Sequence, residues 1–68
     1  MLTRYEREVL YIAAMKEGVS EFCRRVGLPE REFWKLVRSG VSLNESIVRE
    51  KWHEILKVLD ARDEVKRK

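Results

Sequence analysis

Three cations, Arg31, Lys35 and Arg38, recur at helical spacing. At about 100° per residue they share one side of a helix, with Trp34 at the margin. Phe33, Leu36 and Val37 fall on the opposite side. A short helix with an apolar back and a basic front fits the major groove of DNA. Arg31 lies nearest the helix N-terminus and is best placed for bidentate pairing with guanine. Lys35 and Arg38 suit bases or phosphates. The plain alternative is a solvated face whose cations pair with neighbouring glutamates. Trp34 either packs on a sugar or thymine methyl, or lies half-buried beneath the last helix. Glu30 and Glu32 flank the cations. They favour the positive end of the helix, and Glu30 could also accept from a cytosine amino group.

Other residues offer less chemistry. Ser20 is an N-cap candidate whose hydroxyl, with the helix amides, suits a phosphate. Arg24 and Arg25 are either phosphate contacts or solvated charge. Lys66, Arg67 and Lys68 could touch a nucleic-acid backbone as a tail. Cys23, the one cysteine, reads as a small core residue rather than a reactive thiol. His53 has no second His or Cys near it, so no metal site is expected. No Ser/His/Asp set, carboxylate pair or phosphate-cradling glycine loop can be assembled. The expectation is a protein that is not an enzyme and needs no cofactor.

These side chains need elements to position them. Residues 20–26 and 30–38 read as two short helices joined at Gly27, which is free to take positive φ. Pro29 suits the first turn of the second. A bend that tight is how a helix-turn-helix is built. Residues 3–17 read as a first helix, opened by a Thr3–Glu6 capping box. Tyr5, Val9, Ile12 and Ala13 are its expected inward face, and the run from Val9 to Met15 is apolar on more than one side. A last helix is expected over 44–60, with Val48, Trp52, Ile55 and Leu59 on one stripe. Ser42 and Asn44 compete as its N-cap, the latter with a Leu43–Val48 staple. Residues 61–68 are charged and expected to fray. The fold class is therefore all-α, a small four-helix domain containing a helix-turn-helix.

Size and charge agree with this. The 68 residues form one small domain, and such a chain buries only about 60% of its unfolded surface. Of the net charge of +3, residues 19–40 carry +2, with five basic and three acidic side chains. A mild basic excess is compatible with phosphate binding without requiring it. Nothing resembles a signal peptide or a membrane-spanning run, so a cytoplasmic protein is expected.

The order of parts resembles the Cro and phage-repressor type of helix-turn-helix. In that family the turn glycine is flanked by apolar residues, here Val26 and Leu28. A small residue stands four before it, here Cys23. Apolar residues stand five before, six after and nine after, here Phe22, Phe33 and Leu36. Phe33 is larger than the usual β-branched residue, which implies a repacked or splayed helix pair, and Pro29 replaces a commoner Ser or Thr. The resemblance covers about residues 3–60. It implies sequence-specific binding of double-stranded DNA by a small transcriptional regulator, of repressor type and of prokaryotic, phage, viral or plasmid origin. Residues Ser20, Arg24, Arg25, Glu30, Arg31, Trp34, Lys35 and Arg38 would make the contacts. A homodimer on a two-fold site is implied, through Tyr11 and Met15 or through Ile47, Val58 and Val65. The competing expectation is a protein-interaction adaptor that kept the shape and lost DNA.

Overall fold

In the computed structural model, which describes the backbone of residues 1–67 and the side chains of residues 1–60, five α-helices form and no strand. Thr3 starts the first, α1 (Arg4–Glu17). Its hydroxyl accepts from the Glu6 amide at 3.1 Å, and the Glu6 carboxylate accepts from the Thr3 amide at 2.9 Å. Two amides that a helix start leaves orphaned are thereby satisfied. The Gly18 amide closes the other end on the Ala14 carbonyl at 2.7 Å. α1 packs against three other helices, α2 (Val19–Val26), α3 (Glu30–Ser39) and α5 (Trp52–Arg67).

The inward face of α1 is rotated from the one expected. Val9, Leu10, Ala13 and Ala14 are buried, while Tyr5 and Ile12 point outward. The continuous apolar run leaves two faces about equally greasy. The surrounding helices approach from the side where two alanines permit close contact.

Gly27 makes the bend between α2 and α3 in the left-handed region, at φ 79° and ψ 33°. The amides of Gly27 and Leu28 both donate to the Cys23 carbonyl at 2.9 Å. Leu28 then drops into the core, and Pro29 stands at the N-cap of α3 rather than inside its first turn. Phe22 and Phe33 meet edge to face across the helix pair, with centroids 6.1 Å apart. Both are fully buried, so the large Phe33 is accommodated in this contact. Cys23 beside them is buried, and burial, with Glu30 adding to it, pushes its thiol up to about 11. It stays protonated and acts as a small apolar residue.

The expected last helix is two helices, α4 (Glu45–Glu50) and α5, separated at Lys51. Lys51 leaves helical geometry at φ −98° and ψ 15°, although its amide still donates to the Ile47 carbonyl at 2.9 Å. Nothing in the residue types around 50–51 marks this break. The expected stripe survives it. Val48 and Ile55 are buried, and Trp52, Leu56, Val58 and Leu59 pack half-buried against them.

Of the two caps expected ahead of α4, the position falls to Asn44, without the expected staple. Asn44 occupies the N-cap without a side-chain bond, and Leu43 is fully exposed, away from the buried Val48. The Ser42 hydroxyl accepts from the Asn44 amide instead, and donates to the Glu32 carboxylate on α3. No helix among the described residues is long and apolar enough to cross a membrane. The expectations for Lys66, Arg67, Lys68 and Val65 concern side chains outside the described residues.

Candidate nucleic-acid interface

The outward face of α3 carries Arg31, Trp34, Lys35 and Arg38, all exposed. Its inward face is sealed by Phe33 and Leu36, and Val37 lies at the edge. Among the described residues, Arg31 and Arg38 stand in no ion pair, and Lys35 approaches Glu32 at 3.6 Å. Trp34 packs edge-on against Phe33 at 4.9 Å and keeps 37% of its surface exposed, intermediate between the two placements expected. A flat ring therefore borders a line of cations.

Three attachments hold this helix in place. At its start, the Ser20 hydroxyl donates to the Glu30 carboxylate at 2.9 Å and ties α2 to α3. This corrects the capping role expected of Ser20. α2 begins one residue earlier, with Gly18 as its N-cap, because the Gly18 carbonyl already accepts from the Phe22 amide at 2.8 Å. Along the flank, Glu32 accepts from Ser42. That bond holds the Glu32 carboxyl below the usual carboxylate range, with Lys35 and Arg31 adding to it.

At its end, Arg7 of α1 donates to the carbonyls of Val37 at 3.3 Å and Arg38 at 2.6 Å. The Ser39 hydroxyl takes the Lys35 carbonyl, and the Gly40 amide takes that of Leu36. All four of these C-terminal carbonyls are thus satisfied, which fixes where the last turn points. Sequence reasoning missed Arg7. The signal was a cation in the same helical column as Leu10 and Ala14, both buried.

Not every expected residue joins this surface. Arg24 is held by Glu21 on its own helix at 2.6 Å. Arg25 bridges Glu17 of α1 at 3.2 Å and Glu54 of α5 at 3.6 Å, so it braces the helices rather than extending the cationic line. Ser20, Glu30, Arg31, Trp34, Lys35 and Arg38 remain together on or beside α3. Among the described residues, no group of three His, Cys, Asp or Glu side chains converges as metal ligands would. The arrangement is suited to contacting a polyanion. Comparison with protein-family models, with curated proteins and with solved structures gave no match.

Proposed function

We propose that the protein binds double-stranded DNA and acts as a small transcriptional regulator of repressor type, with α3 as the reading helix in the major groove. The observation that carries this is the outward line of Arg31, Lys35 and Arg38 on a helix whose other side is sealed. Arg31 supplies bidentate contact to guanine. Lys35 and Arg38 reach bases or phosphates, and Trp34 packs against sugar or a thymine methyl. Ser20 stands where α2 meets α3, and its hydroxyl, donating to Glu30, holds the start of the reading helix in place. The mutual attachments of α3 favour the reading, because a rigid helix loses little entropy on binding.

The competing reading, a protein-interaction adaptor, draws on Glu30 and Glu32 on the same helix and on the half-exposed Trp34. A salt titration of duplex binding separates the two. Counterion release makes log affinity fall linearly with log salt, by about 0.9 per neutralised phosphate. Replacing Arg31, Lys35 and Arg38 together by Ala is expected to abolish binding at low salt and leave the circular dichroism unchanged. Affinity that survives the triple change, or that ignores salt, removes α3 as the reader.

A further inference from the structure

The outer face of α1 is apolar where a surface helix is ordinarily charged. Its exposed positions are Arg4, Tyr5, Glu8, Tyr11, Ile12 and Met15. Tyr5 keeps 66% of its surface exposed, and Tyr11, Ile12 and Met15 keep 41–45%. Tyr5, Glu8, Ile12 and Met15 follow each other at spacings of three and four, which is the seam by which one helix packs on another. Beside the seam runs an open groove of about 370 Å³, bounded on the far side by Val37 of α3. Four of these six exposed positions, Tyr5, Tyr11, Ile12 and Met15, are aromatic or aliphatic, so the composition of the stripe matches a contact surface rather than a solvated one.

We infer that α1 pairs with α1 of a second copy of this chain, antiparallel, about a two-fold axis passing near Ile12. The charges select this occupant. Glu8 lies four residues before Ile12 and Lys16 four after it. An antiparallel pair centred on Ile12 sets each Glu8 against the partner's Lys16 and each Ile12 against its own copy. A two-fold contact must be self-complementary in this way. Lys16 keeps its contact within its own chain, and an ammonium with three donors can serve both. A parallel pair would set Glu8 against Glu8 and Lys16 against Lys16.

The cations of α3 stay clear of the seam. Val37, on the groove side, is about 100–160° round that helix from Arg31, Lys35 and Arg38. Two such helices centred on Ile12 overlap over residues 7–17, about 15 Å. An interface of that length is at the small end, so the dissociation constant is expected in the roughly micromolar to submillimolar range.

Sedimentation equilibrium of the whole chain without DNA tests the pairing, and the absence of DNA keeps it separate from the DNA-binding reading. Association is expected to weaken at least about tenfold in Ile12→Glu. It should also weaken in Glu8→Lys and in Lys16→Glu taken singly, and return in the double variant that carries both reversals. Amide chemical shifts of the unaltered protein, followed on dilution, should move along the outer face of α1. A monomer up to about 1 mM overturns the inference, as does a dimer indifferent to Ile12→Glu, a double reversal that stays monomeric, or shifts confined to other helices.

Discussion

The Arg7 guanidinium donates to the Arg38 carbonyl at 2.6 Å, thirty-one residues away, and to Val37 at 3.3 Å. The first helix thus holds the C-terminal end of the third by its otherwise orphaned carbonyls, with a charge that also favours the negative helix end. A hydrogen bond from a charged donor contributes about 1.5–3 kcal/mol. Arg7→Ala is accordingly expected to lower urea stability by about 1–3 kcal/mol. Arg7→Lys is expected to recover only part of the loss, since a lysine lacks the fork that reaches both carbonyls. An Arg7→Lys variant as stable as the parent would show that the second bond contributes nothing.

Gly27 and Gly40 have nearly the same backbone, at φ 79° and 78°, but different surroundings. A Cβ on Gly27 meets nothing within 4 Å, whereas one on Gly40 would lie 2.9 Å from the Leu2 carbonyl and 3.1 Å from Arg7 Cδ. The Leu2 amide also donates to the Gly40 carbonyl at 2.8 Å, so the two backbones cannot easily part. Gly27→Ala should therefore cost about 1–2 kcal/mol, the penalty of a left-handed alanine. Gly40→Ala should cost clearly more and should also disturb the Arg7 contact. Chemical denaturation of the pair measures the difference, and equal losses would refute the close approach at Gly40.

Acid should loosen the domain through glutamates that folding holds ionised, Glu6 and Glu32 among them, with Glu45 held low by the N-terminal amine and Arg49. Donation from the Thr3 amide holds the Glu6 carboxyl below its ordinary value, with Arg49 at 3.0 Å adding to it. The Ser42 hydroxyl does the same for Glu32. A carboxylate whose pKa is depressed by folding stabilises the fold fully above its unfolded value, near 4.3. That contribution is lost as pH falls through the lower folded value. The melting temperature is expected to be flat from about pH 7 to 5 and to drop below about pH 4.3. In Glu6→Gln/Glu32→Gln the drop should be shallower, and thermal melts across this range would show it.

The capping box, the bend at Gly27 and the buried Phe22, Cys23, Val26, Phe33 and Leu36 were legible in the sequence, because each follows from local chemistry or helical period. The rotation of α1 was not. With Val9 to Met15 apolar throughout, period alone cannot say which side is buried, and the answer depends on how the other helices approach Ala13 and Ala14. The Ser42–Glu32 bond was hidden because it arises from how the segment after Gly40 meets α3, which no short window of sequence contains. The break at Lys51 was hidden because no residue type beside it marks a helix end. Of the expected contact residues, those on α3 depended only on helical phase and are exposed as anticipated. Arg24 and Arg25 depended on which glutamates would be near, and Arg25 turned toward partners eight residues before it and twenty-nine after.

Glu30 provides a test of the electrostatics of the proposed interface. Its carboxylate accepts from Ser20 at 2.9 Å, one residue before Arg31, so a negative charge stands at the start of the cationic line. Glu30→Gln keeps an acceptor for Ser20 and removes the charge. If α3 lies against DNA, the change relieves repulsion from phosphate, and affinity for a random duplex at about 50 mM salt should rise roughly 3–10-fold, with less gain at higher salt. If Glu30 also reads a cytosine amino group, the same variant should lose affinity for the preferred sequence while gaining it elsewhere. Fluorescence anisotropy on a random duplex and on a sequence selected from a random pool distinguishes these outcomes. A loss of affinity on both would mean that the Glu30 charge does not face phosphate, and would count against α3 lying on the duplex.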